Sequence, residues 1–171
     1  LGLDLQGGSY LLLEIDNTPV IDQKLQNKTT LLRTYLKEKN IRIKNLILVN
    51  QIIKFTVSNE YVETVIQILN DENSEINPYY PRFKSHQFEV SNLENSFELI
   101  FSRQGLVELK TSSQDQALEI VRRRIDEIGT NEPNILKRGN DRILVELPGL
   151  DDPMRIKSLL GKTANLSFRF V

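Results

Sequence analysis

The chain contains no cysteine, which excludes disulfide bonds and metal sites built on thiolates. It has a single histidine, His86, and a zinc site around it would need carboxylates at a paired spacing that the sequence does not offer. The 22 basic and 23 acidic residues give a net charge of −1. No overall field therefore attracts nucleic acid or anionic lipid.

Long hydrophobic runs are also missing. The longest apolar stretches are residues 10–13 and 46–49, whereas a membrane-spanning helix needs about 20 apolar residues. No basic start followed by an apolar stretch marks a signal peptide. Because the chain begins at Leu1 rather than Met, we expect it to be a piece of a longer protein, with any membrane segment outside it.

Hydrophobic periodicity predicts a first cycle of strands and helices. Residues 9–15 have the aliphatic density of a strand, and a helix follows with Thr18 as its N-cap and Pro19 at its first position. An apolar stripe runs along this helix at Ile21, Leu25, Leu32 and Leu36. Residues 41–49 and 52–57 predict a hairpin around Asn50 and Gln51. A second helix and a strand over residues 83–90 complete this cycle.

A second cycle follows the same order. A strand over residues 97–101 precedes a long helix that ends at residue 128, with Gly129 as a left-handed C-terminal cap. Strands over 134–137 and 143–147 flank a four-residue turn. A short helix from about residue 151 ends at Gly161, and residues 164–171 form the last strand.

Each cycle has the order β-α-β-β-α-β, which predicts an α+β fold of two consecutive ferredoxin-like units. In each unit, two helices cover one face of an antiparallel sheet. We expect the first unit over residues 1–92, including the glycine-rich start, and the second over residues 93–171.

Several chemical interpretations of the motifs are weak. The Gly7-Gly8 pair precedes a strand and is followed by no Gly-Lys-Ser/Thr, so a tight turn braced by Asp4 is favoured over a phosphate loop. Residues 151 and 152 are aspartates that suit a helix N-terminus. No nucleophile–base pair appears, so we expect no enzyme.

The run Arg122-Arg123-Arg124 looks like a basic patch, but three successive helical residues spread over more than half the circumference. Three pairs four residues apart predict a salt-bridged exposed face instead: Glu119 with Arg123, Arg122 with Asp126, and Arg123 with Glu127. An RNA-recognition sheet would need stacking aromatics, and the middle strands over 46–49 and 143–147 have none. Nucleic-acid binding is therefore disfavoured.

Four segments together carry a resemblance to a known family. The opening Gly-Leu-Asp-Leu-Gln-Gly-Gly at residues 2–8 resembles the start of the large extracytoplasmic domain of the SecD family, which belongs to the bacterial Sec protein-export machinery. Residues 121–133, 141–149 and 160–171 are similar to later segments of that domain, in the same order. Residues 17–100 carry no sharp motif.

The resemblance implies a non-catalytic base domain without cofactor or metal, on the periplasmic side of the bacterial inner membrane. SecD acts with SecF and the SecYEG channel and uses the proton-motive force to help draw preproteins across the membrane. Gln6 stands where many members carry a basic residue. The positions carried over from the family's motifs, as structural or docking residues, are Gly2, Asp4, Gln6, Gly7, Gly8, Arg122, Arg124, Gly129, Glu132, Pro133, Asp141, Arg142, Pro148, Gly149 and Gly161.

The edges of an open antiparallel sheet offer unpaired amides and carbonyls, to which an unfolded preprotein could add a strand. The alternative is that these edges pair only with the rest of SecD or with SecF. A rival of another class is a small-molecule regulatory domain, because paired ferredoxin-like units often bind metabolites between them. Stabilisation by amino acids or nucleotides would favour that rival.

Overall fold

The computed structural model describes residues 8–129, 132–148, 153–160 and 167–170. None of the helices within these ranges is long and apolar enough to cross a membrane. The helices are α1 (Thr18–Glu38), α2 (Val62–Asn70), α3 (Arg103–Ile128) and α4 (Pro153–Leu160), and a short 3-10 turn, Asn59–Tyr61, leads into α2. The strands are β1 (Gly8–Asp16), β2 (Lys44–Val49), β3 (Ile52–Thr56), β4 (Tyr79–Tyr80), β5 (Ser85–His86), β6 (Phe88–Leu93), β7 (Ser96–Phe101), β8 (Asn134–Arg138), β9 (Arg142–Pro148) and β10 (Ser167–Phe170).

The fold class is α+β, as the sequence predicts. The described strands form antiparallel sheets with the orders β10-β1-β9-β8 and β2-β3-β7-β6, together with the small pair β4-β5. Long helices supply the apolar faces that each four-stranded sheet buries.

By packing, the chain divides into two compact units. The split unit comprises the chain up to Pro19 and the chain from Leu109 onward, and the continuous unit is Val20–Glu108. The expected division at residues 92 and 93 differs from this one and falls inside β6. Since β6 pairs with β7 along its whole length, the two strands stay in one sheet.

The split unit places β1 in the middle of its sheet. β1 pairs with β10 on one side and with β9 on the other, where Leu13 lies opposite Ile143. Alternate residues of both strands are buried, because successive side chains of a strand point to opposite faces. They pack with three α3 residues that lie four apart and so share one helix face. These α3 residues are Ala117, Val121 and Ile125.

The continuous unit buries α1 against the sheet β2-β3-β7-β6. Leu25, Leu32 and Leu36 of α1 are fully buried, which confirms the predicted apolar stripe. Across the sheet, the rings of Phe55 and Phe97 stack with centroids 5.2 Å apart. Aromatic pairs of this kind add about 0.5–1.5 kcal/mol beyond the area that they bury.

The element order of the continuous unit corrects the ferredoxin-like prediction for this part of the chain. The predicted first strand, β1, pairs in the split unit, so the order here begins with α1 and runs α-β-β-α before β4 to β7. The predicted strand over residues 83–90 is also divided, because residues 81–84 form a turn before β5 and β6.

Two local turns explain the path of the continuous unit. Asn50 and Gln51 have φ values of 51° and 62°, as a two-residue hairpin of type I′ requires. At the end of α1, Asn40 has φ 61°, and the amide of Ile41 donates to the Leu36 carbonyl at 2.8 Å. This is a Schellman cap, and its hydrophobic residue Ile41 is buried in the core.

Candidate docking surfaces

The motif positions that the structure describes all lie in the split unit. Gly8, the first residue of β1, is the register partner of Pro148 at the end of β9. The last residue of the opening motif and the C-terminal third, although distant in sequence, therefore meet in one sheet. Six predicted positions lie outside the described residues: Gly2, Asp4, Gln6, Gly7, Gly149 and Gly161.

The passage from α3 to β8 has the predicted cap. Gly129 has φ +73°, and its amide donates to the Asp126 carbonyl at 3.1 Å. Glu132 also has a positive φ of 48° and is exposed, and Pro133, just before β8, is half-buried. These residues shape the turn between a helix and an edge strand.

The arginine run pairs differently from the prediction. Arg124 lies 3.5 Å from Glu127, one turn along α3. The expected pairs four residues apart, Glu119–Arg123, Arg122–Asp126 and Arg123–Glu127, are not among the ion pairs within 4.0 Å of the described chain. Arg122 and Arg123 are exposed.

The turn between β8 and β9 is held by a buried glutamine of α3. The side-chain amide of Gln114 donates to the Gly139 carbonyl at 3.1 Å and to the Arg142 carbonyl at 2.9 Å. The Asp141 carbonyl accepts from the amide of Ile15 at 2.7 Å. The motif pair Asp141–Arg142 therefore sits at a fixed corner of the sheet.

Sequence reasoning did not identify the role of Gln114. Its signal was a polar residue on an apolar helix face, because Gln114 precedes Ala117 and Val121 at the spacing of the buried stripe. A buried amide in such a place needs hydrogen-bond partners. Here the partners are the turn carbonyls.

Three leucines form a row across the sheet of the split unit, on the face turned away from its core. Leu12, Leu144 and Leu136 are register neighbours on β1, β9 and β8. Leu12 and Leu144 are half-buried, and Leu136 is 42% exposed. The leucine row ends at the edge strand β8.

Polar side chains border the leucine row on both sides. On one side, the Glu146 carboxylate accepts from the Tyr10 hydroxyl at 3.4 Å and from the Asn134 side-chain amide at 3.5 Å. On the other side, Arg138 lies opposite Arg142. An apolar strip with a polar border is typical of a surface that contacts another chain.

The sheet edges differ in regularity. Strand β8 pairs with β9 at five consecutive positions without a register shift. The edge strand β2, by contrast, has a register shift between Lys44 and Ile47, with Asn45 at φ 54°. Such irregularities block the addition of another strand. Of these two edges, β8 is the better template for pairing.

A small recess in the continuous unit contains a lysine, Lys28, whose pKa is lowered. Lys28 donates to the Ile76 carbonyl at 2.8 Å, and its ammonium lies 5.4 Å from the ring centre of Phe88. Burial, helped by the charge of Lys24, lowers the pKa of Lys28 to about 8. The recess has a volume of about 190 Å³, and the buried Oε1 atom of Gln87, another residue of its wall, has no partner among the described residues.

The single histidine contacts a backbone carbonyl and an aromatic ring. His86 lies in β5, with Nε2 3.0 Å from the Asp71 carbonyl oxygen and its ring 4.8 Å from that of Tyr79. In the described part of the chain, no group of three or more histidine or carboxylate side chains could hold a metal ion. The aspartates at 151 and 152 lie outside the described residues.

Comparison with known proteins finds relatives along the whole chain and a family model over its C-terminal third. The family model "Protein translocase subunit SecDF, P1 domain, N-terminal" matches residues 114–171. A "Protein translocase subunit SecD" of Rickettsia bellii is 36% identical over 172 residues, covering 100% of this chain and 31% of the relative. The corresponding proteins of Acetobacter pasteurianus and Desulfurispirillum indicum are 37% and 32% identical and also cover 100% of this chain. The chain thus spans about a third of the length of these relatives (32% and 31% for the latter two).

Proposed function

The chain belongs to the SecD family, and from this premise we propose that it is the non-catalytic base domain of a SecD subunit on the periplasmic side of the inner membrane. In the full-length protein it would act with SecF and the SecYEG channel in preprotein export driven by the proton-motive force. The observation that carries this proposal is an alignment over 100% of the chain at 36% identity.

The topology of the split unit supports a ferredoxin-like fold for the base. Its elements follow the order β1, α3, β8, β9, α4, β10, which is β-α-β-β-α-β once the continuous unit is set aside. The sheet order β10-β1-β9-β8 leaves the first and third strands of this set in the middle. We therefore propose one ferredoxin-like unit interrupted by an insertion, instead of two in succession.

The edge of β8 is the proposed contact for a passing preprotein. Its regular register offers backbone groups to an added strand, and this pairing depends little on the client's sequence. The leucine row reaches the same edge at Leu136 and offers apolar contact beside the backbone. Lys137 and Arg138 on β8 keep the edge from pairing indiscriminately.

Site-specific photocrosslinking tests this contact. A benzophenone amino acid replaces Leu136 on β8 in the full-length protein, and a preprotein is arrested during export into inverted membrane vesicles. We expect a crosslink to the preprotein that depends on its arrest. The matched control places the same amino acid at Glu63, which is exposed on α2. No crosslink from Leu136, or equal crosslinking from both positions, would contradict strand addition at β8.

The recess at Lys28 supports a second candidate function, a small-molecule regulatory domain. A lysine whose ammonium is disfavoured by burial would gain from the carboxylate of a ligand, and Oε1 of Gln87, which has no partner among the described residues, would accept from a donor group of the same ligand. Thermal unfolding with millimolar amino acids or nucleotides tests this. A rise in Tm that Lys28→Met removes would favour the sensor, and an unchanged Tm would eliminate it.

A further inference from the structure

A groove at the C-terminal end of α1 is lined by basic side chains that form no ion pair with the described residues. The groove has a volume of about 550 Å³ and is lined by Arg33, Lys37, Asn40, Ile41, Arg42 and Ile43. This volume falls in the range of roughly 300–1,000 Å³ that is usual for ligand sites. None of the described residues that line it is acidic.

The Schellman cap builds this groove. Arg33 and Lys37 are four residues apart on α1 and therefore share one face of the helix. The left-handed Asn40 then turns the chain so that Ile41, which is 2% exposed, enters the core and Arg42 returns to the surface. The result is a recessed apolar floor with cations around it.

The charge around the groove is one-sided. Residues 33–44 include five basic residues and one acidic residue, a local charge of +4 in a chain whose net charge is −1. Within the part of the chain that the structure describes, Arg33, Lys37 and Arg42 form no ion pair within 4.0 Å and no side-chain hydrogen bond. Lys39, in contrast, lies 5.0 Å from the ring of Tyr35.

Stabilisation of the helix does not account for all three cations. Favourable contact with the negative end of a helix is confined to its last turn. Lys37 lies in that turn, but Arg33 is further back along α1 and Arg42 lies beyond its end. The two arginine guanidinium groups are therefore left without a partner among the described residues, and their planar shape matches carboxylates.

We infer that this groove binds an acidic polypeptide segment that carries apolar side chains beside its carboxylates. The arginines would pair with the carboxylates, and the floor at Ile41 and Ile43 would receive an apolar side chain. A flat anionic bilayer would meet the rim but would not fill a recess whose floor is apolar. The inference takes from the proposed function only that the protein handles polypeptides.

Fluorescence anisotropy with the complete chain tests the inference. The probe is a labelled peptide of about 12 residues that alternates Glu or Asp with Leu and Phe, and the control peptide replaces each acid by its amide. Because charge pairing is central, we expect the acidic peptide to bind at least about fivefold more tightly, with an affinity that falls as salt is added. Equal binding of the two peptides would overturn the inference.

A charge-matched pair of variants locates the site. Arg33→Glu with Arg42→Glu should weaken binding of the acidic peptide by at least about tenfold, because both positive charges become negative. Arg103→Glu with Arg123→Glu makes the same change in charge at exposed positions outside the groove and should change binding less than about twofold. Thermal unfolding checks that both variants remain folded, and equal weakening by both would exclude the groove.

Two further results separate the possible partners. Sedimentation with phosphatidylglycerol vesicles should show no binding that depends on Arg33 and Arg42. If the chain binds the vesicles through these arginines and does not bind the acidic peptide, the groove is a lipid site and the inference is overturned. The crosslink from Leu136 on β8 should persist in the groove variant. If the wild-type chain does not bind the acidic peptide while the Leu136 crosslink still forms, the groove is refuted and the proposed function is left intact.

Discussion

Gly105, in the first turn of α3, shows how a single residue can be required by its neighbour. A Cβ atom at this position would lie 2.3 Å from the Gln87 carbonyl oxygen. That carbonyl also accepts from the amide of Ser102, whose hydroxyl in turn caps α3 by accepting from the Gly105 amide at 2.9 Å. The close approach of α3 to this segment therefore depends on a glycine.

We expect Gly105→Ala to lower the free energy of unfolding by about 1–3 kcal/mol, because the backbone at Gln87 must shift. This sign is opposite to that of the same change in an ordinary helix, where alanine stabilises by about 1 kcal/mol. Urea unfolding measures it. Thr111→Ala, exposed on the same helix, is the control and should be neutral or stabilising. A stabilising Gly105→Ala would contradict the close approach.

Lys28 predicts a pH dependence of stability. Burial lowers its pKa from 10.5 to about 8, so the unfolded chain binds more protons between these values. Its contribution to stability therefore rises with pH over that window. The full shift corresponds to about 3 kcal/mol, which solvent screening of a half-exposed side chain reduces to about 1 kcal/mol.

Urea unfolding of the wild type and of Lys28→Met at about pH 7 and about pH 10 measures this effect. Relative to the wild type, the variant should lose about 1 kcal/mol of stability between the two pH values, since it lacks the titrating group. Lys44→Met, at an exposed position, provides the control for general effects of pH. If the difference in the free energy of unfolding between the variant and the wild type does not change with pH, Lys28 has an ordinary pKa.

At the scale of elements, the hairpin of β8 and β9 depends on a contact with α3. Gln114→Ala would leave the Gly139 and Arg142 carbonyls without their donor, and we expect a loss of about 1–3 kcal/mol in the free energy of unfolding. Hydrogen exchange should also accelerate at the turn between the strands. Gln116→Ala, exposed on the same helix, should cost less than about 0.5 kcal/mol. Equal costs for the two variants would contradict this role for Gln114.

Elements with a local cause were predictable from the sequence. The stripe of Leu25, Leu32 and Leu36 predicts α1, and the pair Asn50–Gln51 predicts the hairpin of β2 and β3. Both signals arise within a few residues, from helical periodicity and turn geometry. The cap at Gly129 was predictable for the same reason.

Other features depend on partners distant in sequence and were not predictable. Nothing near β1 indicates that it pairs with β9 and β10 instead of with the strands that follow it. The requirement for Gly105 likewise arises from Gln87, on another segment. Of the candidate surfaces, the motif positions were found in the sequence, whereas the leucine row and the groove at Arg33 appear only when strand register and the end of α1 are known.

At the scale of the whole molecule, each unit has its own hydrophobic core. Leu13 is fully buried in the core of the split unit, and its neighbour Leu12 points to the other face of the same strand. We expect Leu13→Ala to destabilise by about 2–5 kcal/mol, and Leu12→Ala to cost about 1 kcal/mol or less.

Hydrogen exchange with mass spectrometry would show where the loss occurs. In Leu13→Ala, protection should fall in β1, β9 and the part of α3 beyond Leu109, while β3 and β7 remain protected. An equal loss of protection in β3 and β7 would show that the two cores unfold as one cooperative unit.

The central position of β1 has a consequence for biogenesis. The ribosome makes β1 before the other strands of its sheet, and both of its partners, β9 and β10, come from the C-terminal third of this chain. The intervening stretch contains all of the continuous unit, and it can fold before β9 and β10 have been synthesised. Until β9 and β10 have been synthesised, the nascent chain carries the aliphatic strand β1 without these partners, and that is the interval in which a chaperone would bind it.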